Sequence, residues 1–579
     1  MPLLTARLAG PALALVLTLP WGAPLRAATD AAACALEWQV RLTTATLPDA
    51  ERPAGRAVPA LDVTLGFDAG TRTSTRLRLP AGWDALRELN PDAPRLLPVA
   101  GDAQLRQVQH AAQARVLLQW RLVPGTDTGG TAGLRLTPDW SAFTGAAVLA
   151  WPEEPGTQTL PACLRVEAGD TVRWISNFGR AEGSAARWSW PAATAGQVQQ
   201  ALYAGGALQW RDADAAGQTL TAVVPAGAAL AFDAAALAER AARLQTALRR
   251  DWRDDERTPI PVLALPGPVA GGMTLGRALA LQAPPDLALP GPQADELIAG
   301  QLLRRWMPER FGPLAHAGRG DGPLRAWFTE GFADYLAHRL LLKEGLWTPE
   351  DYAAALNRKI ARYQAQPERA ADNLRLATGG AGAQALAELP AARGEWLALH
   401  WNAALREAGR PGLEATLRGL MVPAAQARRE GPLSTPLATH RLIAALRRDL
   451  GDVPLRELAH HIEDGAPFEF PPTALGPCFQ RDAAPASFRP VAQAAGQPAC
   501  QGWLQGSGTE RVAAANGKTA KTAKTGKAAK AVAGGKAGKS AKTGGGRGGK
   551  PAAAKAGKSG AGAKKAAGAA GQGKAKARH

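Results

Sequence analysis

The hydrophobic pattern of this chain changes from a two-residue period to a helical period along its length. Between residues 35 and 161, short runs of alternating apolar and polar residues, such as 116–123, are separated by turn residues. This pattern is typical of β-strands. Helical spacing of apolar residues dominates from 294 to 462, and the region between is mixed. The chain is therefore predicted to be an α+β protein that begins with a β domain.

The positive charge of the chain is concentrated at its C-terminal end. The 579 residues carry a formal net charge of +18, but eighteen Lys and Arg residues and only one Glu lie between 508 and 579. The rest is nearly neutral, so the charge does not indicate that the fold binds nucleic acid. The Lys/Ala/Gly-rich tail cannot bury enough apolar area to fold and is predicted to be disordered. Its predicted partners are anionic envelope polymers or other polyanions, without sequence-specific nucleic acid binding. A solubilising tail without a partner is the alternative.

The first residues of the chain predict export. Arg7 precedes an apolar run over 8–19, and small residues follow near 27, which is typical of a signal peptide. A short N-terminal anchor or a buried strand is the alternative. The run is shorter than a membrane-spanning helix, so the protein is predicted to be periplasmic or secreted and not transmembrane.

Four cysteines in an oxidising compartment predict disulfide bonds. They allow three pairings. The loop between Cys478 and Cys500 is short and rich in Pro and Ala, which favours this pair and leaves Cys34 with Cys163. A zinc site is the alternative, but no Cys-x-x-Cys spacing supports it.

The region between 298 and 335 has the outline of a zinc site without its ligands. Thermolysin-type peptidases hold zinc with His-Glu-x-x-His on one helix and a Glu on a second helix. At the corresponding places this chain has Gly300, Gln301 and Arg304, while the second-helix Glu330 is retained. Glycine has no ligand atom, glutamine cannot accept a proton at neutral pH, and arginine is a permanent cation. No metal is therefore expected, and Arg304 is predicted to pair with Glu330.

Residues 327–335 read Trp-Phe-Thr-Glu-Gly-Phe-Ala-Asp-Tyr, and Trp306 and Pro308 follow the first motif in a fixed register. On the basis of these two motifs, the chain resembles the glycyl-aminopeptidase-like (M61-type) gluzincin metallopeptidases over most of residues 35–480. The resemblance implies a β domain packed on a thermolysin-like domain with a helical C-terminal part. It also implies that peptide lies along an edge strand, here Gly271, Gly272 and Met273. The oxyanion-stabilising Tyr of related gluzincins corresponds to Ala391.

Three other places in the sequence offer candidate metal ligands. Asp295 and Glu296 lie five residues before the required place, and using them misplaces Trp306. His316 lies in a Gly-rich loop and is expected to be solvated. The neighbouring His460 and His461 point about 100° apart on a helix, which makes them a poor chelating pair.

The sequence thus predicts an exported pseudopeptidase whose cleft binds peptide or protein without cutting it, or whose fold serves as a scaffold. One alternative is an active zinc peptidase with unusual ligands. The other is an envelope polyanion-binding protein that acts through its tail. The expected segments are a signal peptide (1–27), an N-terminal β domain (28–161), a mixed α/β part of the peptidase-like domain (162–290), a helical gluzincin-like part (291–480), a Cys-containing linker (481–507) and a disordered tail (508–579).

Overall fold

The computed structural model describes residues 34–504, apart from 50–51, 81–85, 89–95, 124–132, 154–158, 313, 315–322, 380–381, 423–436, 471–472, 483–486 and 493–496. The predicted signal peptide and the predicted basic tail both lie outside the described residues. No helix in the described part of the chain is long and apolar enough to cross a membrane.

The first part of the described chain is built from β-strands that form two sheets, with two short helices, α1 (Gly145–Val148) and α2 (Ala195–Gln199). Strand order in the larger sheet is β4-β7-β2-β1-β11-β13-β9-β8, with β12 also paired to β11, and in the smaller sheet it is β10-β3-β6-β5. The strands are β1 (Leu36–Asp49), β2 (Arg52–Asp68), β3 (Ser74–Arg78), β4 (Leu86–Glu88), β5 (Leu96–Val99), β6 (Asp102–Gln109), β7 (Arg115–Leu122), β8 (Leu134–Leu136), β9 (Trp140–Thr144), β10 (Trp151–Pro152), β11 (Leu160–Ser176), β12 (Gly179–Ala193) and β13 (Leu202–Gly206).

The alternation seen in the sequence places one face of these strands in a core. Along β7, Val116, Leu118 and Trp120 are buried and the residues between them are exposed. They belong to a hydrophobic core that also contains Trp38 and Trp174. Strand β11 pairs in parallel with β1, so the larger sheet continues across the predicted domain boundary at 161.

A third sheet follows, with the order β14-β15-β16-β18-β17. Helix α3 (Ala234–Trp252) connects the parallel strands β15 and β16, and the side chain of Asp233 accepts a hydrogen bond from the backbone N–H of Ala236 at its N-terminus. Strand β17 lies at the end of the sheet and pairs, among the described residues, only with β18. The strands are β14 (Leu208–Asp214), β15 (Thr219–Pro225), β16 (Ile260–Pro266), β17 (Gly271–Leu275) and β18 (Ala278–Ala283).

The rest of the chain is mainly helical and shares the largest hydrophobic core with α3 and the third sheet. Gly331 and Gly394 allow two helical segments to touch, because a Cβ on Gly331 would lie 2.5 Å from the Cα of Gly394. The helices are α4 (Pro292–Phe311), α5 (Ala333–Lys343), α6 (Pro349–Ala365), α7 (Asn373–Ala377), α8 (Ala383–Glu407), α9 (Leu413–Arg418), α10 (Ala438–Leu450) and α11 (Val453–Leu458), with π-helical turns at Trp327–Phe332 and Ala459–Glu463 and a 3-10 turn at Pro323–Arg325.

The last described segment consists of β19 (Phe479–Asp482), β20 (Ser487–Pro490) and α12 (Pro498–Leu504). The side-chain amide of Asn357 donates to the carbonyl of Phe488 and accepts from its N–H, each at 2.8 Å. This contact docks β20 on α6. The stretch predicted as a linker, 481–507, therefore contains regular structure attached to the helical part.

Two disulfide bonds are present, Cys34–Cys163 and Cys478–Cys500. These are the pairings that the sequence favoured. The first joins the start of the described chain to β11, and the second joins the segment before β19 to α12. The predicted α+β fold class, with a β-rich N-terminal part and a helical C-terminal part, is confirmed.

Candidate functional site

Helix α4 carries the three positions of the expected degenerate zinc motif. Its apolar face, which includes Ile298 and Trp306, is buried in the largest core and sets the rotation of the helix. Gly300 and Gln301 are also buried, and the side chain of Arg304 is 21% exposed. The motif positions therefore lie at the margin of the core, where α4 meets the helix that follows Glu330.

Arg304 spans the gap between α4 and the segment that carries Glu330. Its Nε donates a hydrogen bond to Glu330 Oε2, and its Nη2 donates to Asp334 Oδ1 at 2.6 Å. The side chain of Asp334 is 14% exposed, whereas that of Glu330 is 42% exposed. The predicted pair between Arg304 and Glu330 is confirmed, and Asp334 is a second, more deeply buried partner.

Gly300 provides the space that the Arg304 side chain uses. A Cβ on Gly300 would lie 2.7 Å from Nη1 of Arg304, which is closer than real Cβ atoms approach other heavy atoms. The guanidinium group thus lies beside the bare Cα of the residue one helical turn earlier. A larger side chain at 300 would therefore require the end of the Arg304 side chain to shift.

Two rows of side chains face each other between α4 and the segment formed by Trp327–Phe332 and α5. In each row the residues are four apart in sequence, so they lie on one side of their helix. The rows run in opposite directions, and at the far end Nε2 of His338 lies 3.0 Å from Oε1 of Glu296. The rows consist of Glu296, Gly300 and Arg304 on one side and Glu330, Asp334 and His338 on the other.

Lys359 on α6 and Glu395 on α8 complete this buried network of charges. Lys359 Nζ lies 2.5 Å from Asp334 Oδ2 and also donates to Glu395 Oε2. The other carboxylate oxygen of Glu395 lies 2.6 Å from Nδ1 of His338. Acidic and basic groups therefore alternate from Glu330 to Glu296, and each buried charge has an opposite neighbour.

The titration behaviour of the network follows from these pairings. Burial alone would lower the pKa of His338, but the carboxylates of Glu395 and Glu296 raise it to about 9. Burial would raise the pKa of Glu296, but the hydrogen bond and charge of His338 lower it to about 2. The pKa of Asp334 is lowered as well, because Arg304 and Lys359 outweigh its burial. His338 is therefore an imidazolium ion at neutral pH, and the carboxylates of Glu296 and Asp334 are ionised.

Gln301, at the place expected for the general base, contacts the edge strand β17. The hydroxyl of Thr274 donates to the Gln301 side-chain oxygen at 3.3 Å. A Cβ on Gly272 would lie 2.9 Å from Cγ of Gln301, so the absence of a side chain at Gly272 lets the glutamine lie against the strand. Met273 beside it is 41% exposed. The three predicted edge-strand residues, Gly271, Gly272 and Met273, thus lie on β17, and Gly272 contacts the motif helix.

Residues 305–392 match the model of the M61 glycyl aminopeptidase family. This stretch of the chain is therefore similar to the M61 glycyl aminopeptidases. An aminopeptidase N family protein from Idiomarina loihiensis has a similar fold, with a TM-score of 0.51 and 13% identity over 66% of this chain and 69% of that chain. An M1 zinc metallopeptidase from Deinococcus radiodurans aligns over 76% of this chain and 96% of that chain at 17% identity, with a TM-score of 0.43. No curated protein matches the chain by sequence.

The side chains of this M61-like site do not fit the zinc ion of such metallopeptidases. Of the three expected ligand positions on the two helices, only Glu330 has a side chain that can bind a metal ion, and that carboxylate is held by the cationic Arg304. Among the described residues, no three His, Cys, Asp or Glu side chains are grouped as metal ligands. The donor chemistry therefore disagrees with the metal that the family implies.

The residues considered as relocated ligands have other roles. Asp295 is buried and forms an ion pair with Arg240, and Glu296 faces His338. The ring of His461 stacks on Phe468 with 3.9 Å between centroids. His316 lies outside the described residues. Within the described chain, these side chains do not converge on Glu330.

Ala391, at the expected oxyanion position, lines a cavity of about 170 Å³ together with Arg304 and Asp334. Its methyl group offers no hydrogen-bond donor to the cavity. The cavity is thus adjacent to the Arg304–Asp334 contact, at the place where the resemblance puts the tyrosine hydroxyl.

Four residues of the site, Asp334, His338, Lys359 and Glu395, were not predicted from the sequence. A signal for two of them was present, because Glu330, Asp334 and His338 recur at four-residue spacing in a mainly apolar helical segment. Lys359 and Glu395 lie on α6 and α8 and are brought to Asp334 only by the packing of these helices.

Proposed function

We propose that this chain is an exported, catalytically inactive relative of the M61 metallopeptidases whose cleft binds peptide or protein segments without cleaving them. The observation that carries the proposal is the hydrogen bond from Arg304 to Glu330. A guanidinium group is bound to the one carboxylate that remains of the zinc ligand set. A metal ion at the same carboxylate would have to displace this cation and would still lack two protein ligands.

The loss of function extends beyond the metal ligands. Gln301 cannot act as a general base, and Ala391 cannot donate a hydrogen bond to an oxyanion. Water activation and stabilisation of the tetrahedral intermediate are therefore both missing at these positions. The retained features concern the fold: the tightly packed Gly331–Gly394 contact and the edge strand β17.

Peptide binding is supported by the surface of β17. The strand has an unpaired edge in the described structure, which can add a peptide strand through backbone hydrogen bonds. Met273 on the strand is 41% exposed and Val269 just before it is 68% exposed, so an apolar surface lies along the edge. Gln301 and Gly272 hold the strand against α4.

Export is supported by the two disulfide bonds, since disulfides persist in oxidising compartments such as the periplasm.

For the tail, which the structure does not describe, we propose salt-dependent binding to polyanions through its positive charge. Removing residues 508–579 should abolish binding to anionic vesicles and leave the unfolding midpoint unchanged. Equal binding by the truncated chain at low salt would contradict this role.

Hydrolysis assays test the proposed function. The purified chain, with zinc added, is incubated with a mixture of peptides that have free N-termini and with aminoacyl-p-nitroanilides. We expect no cleavage, and we expect the Gln301→Ala variant to behave like the wild type. Cleavage that disappears on chelation, or on substitution of Gln301, would contradict the proposal.

A further inference from the structure

The cavity beside Arg304 has an unusual balance of hydrogen-bonding groups. It has a volume of about 170 Å³ and lies between α4, α5, α6 and α8. Three basic side chains and two carboxylates line it, together with apolar groups. A polar group that already has a protein hydrogen-bond partner is not free to bind a ligand. The groups without a partner therefore determine which ligand the cavity can bind.

The acceptors of the cavity are occupied by protein donors. Both carboxylate oxygens of Asp334 have partners, since Oδ1 accepts from Arg304 and Oδ2 lies 2.5 Å from Nζ of Lys359. Glu388 accepts a hydrogen bond from the side-chain amide of Gln366 at 3.3 Å. Lys359 in turn is shared between Asp334 and a second carboxylate. These groups leave little capacity to bind a cation.

The donors of the cavity, by contrast, are incompletely used. In the described structure, Nη1 of Arg304 makes no hydrogen bond and lies over the bare Cα of Gly300. Arg362 on α6 is exposed and forms no ion pair or hydrogen bond with a described residue. Two guanidinium groups therefore offer free N–H donors in a cavity whose carboxylates are engaged.

We infer that this cavity binds a carboxylate group of a peptide, with Arg362 as its main contact and Arg304 Nη1 as a second donor. Guanidinium groups match the planar geometry of a carboxylate and form strong, charge-assisted hydrogen bonds with it. The apolar side chains of Leu389, Ala391 and Ala392 line the same cavity and can contact a short aliphatic stem.

The size of the cavity limits the ligand to a chain end or a single side chain. Pockets that enclose a whole small-molecule ligand have volumes of roughly 300–1,000 Å³. A volume of about 170 Å³ is below this range. The carboxylate is therefore either the C-terminus of a peptide or the side chain of Asp or Glu. This inference rests on the proposed function, because it names the ligand class of a cleft that binds without cutting.

Calorimetric titration with three blocked peptides tests the inference. The ligands are N-acetyl-Ala-Ala with a free C-terminal carboxylate, the same dipeptide as its amide, and N-acetyl-Ala-Asp-amide. We expect the amide without a carboxylate to bind at least about tenfold more weakly than the better of the two acids. The acid that binds better distinguishes a chain end from an acidic side chain.

Two substitutions on the same helix provide the matched comparison. Arg362→Gln should weaken binding of the preferred acid at least about tenfold, because it removes the exposed guanidinium group. Arg358→Gln removes another exposed arginine of α6 that does not line the cavity, and affinity should stay within about twofold. Unfolding midpoints of both variants show that each is folded.

Three results would overturn the carboxylate site: no detectable binding of either acid, equal affinity for acid and amide, or equal affinity of wild type and Arg362→Gln. The proposed function is tested separately by hydrolysis and metal content. An inactive, metal-free protein without preference for acids would contradict the carboxylate site alone, whereas a zinc-dependent peptidase would contradict the proposed function.

Discussion

Arg304 donates hydrogen bonds to both Glu330 and Asp334, so a single guanidinium group joins α4 to two carboxylates on the facing helical segment. In a zinc peptidase of this type, a metal ion would hold the corresponding helices together. Here the corresponding contact is made by the Arg304 guanidinium group, which is part of the chain and does not have to be bound from solution. The stability of the helical part should therefore depend on this contact and not on metal supply.

The two carboxylates that Arg304 binds should differ in their importance for stability. Asp334→Asn should lower the free energy of unfolding by about 3 kcal/mol, because it leaves Arg304 and Lys359 poorly compensated in a mostly buried site. Glu330→Gln should cost under about 1 kcal/mol, because this side chain is 42% exposed and its charge is screened by solvent. Urea unfolding followed by far-UV circular dichroism measures both, and equal losses would contradict the assigned burial.

The same small substitution should destabilise the protein to very different extents at two glycines of the site. A Cβ on Gly394 would lie 1.6 Å from the backbone oxygen of Trp327, which cannot move without separating the helices. Gly394→Ala should therefore cost more than about 3 kcal/mol or prevent folding. On Gly300 the added Cβ meets only the end of the flexible Arg304 side chain, so Gly300→Ala should cost under about 1 kcal/mol. A tolerated Gly394→Ala would show that the close contact is not needed.

Stability should fall at alkaline pH because of His338. Its pKa is about 9 in the folded protein and about 6.5 in the unfolded chain. Because the folded pKa is raised, the contribution of His338 is complete below pH 6.5 and is lost as the pH rises through 9. The loss should be on the order of 3 kcal/mol in urea unfolding between pH 6.5 and 10. His338→Gln should flatten this slope, and an unchanged slope would exclude His338 as its cause.

Restoring the ligand set should restore metal binding. The triple variant Gly300→His, Gln301→Glu, Arg304→His removes the blocking cation and adds two imidazole ligands that join Glu330. We expect this variant to bind about one zinc ion per chain and to be stabilised thermally by zinc, which the wild type is not. A folded triple variant without zinc affinity would mean that further changes in the helices prevent metal binding.

The sequence was sufficient for features that depend on local pattern. The strand alternation of the β domain follows from the two-residue period of the sequence, and the pairing of Arg304 with Glu330 follows from their positions in a recognisable motif. The contacts of Asp334 with Lys359, and of Lys359 with Glu395, could not be predicted from such patterns. Lys359 and Glu395 lie on α6 and α8, and their contact depends on how four helices pack.

The segment after 480 shows the same limit. Its composition suggested a linker, yet the Cys478–Cys500 disulfide, the Asn357–Phe488 hydrogen bonds and the buried Trp503 fasten it to the helical part. The cavity at Ala391 was also not predictable, because its unpaired donors become visible only when all hydrogen-bond partners are placed.

The zinc content of the purified wild-type chain tests the central claim most directly. The wild-type chain and the Glu330→Gln variant are incubated with excess zinc and desalted. Their zinc content per chain is then measured by inductively coupled plasma mass spectrometry. The account predicts under about 0.1 zinc per chain in both, because Arg304 holds the single remaining ligand. About one zinc ion per wild-type chain that is lost in Glu330→Gln would contradict it.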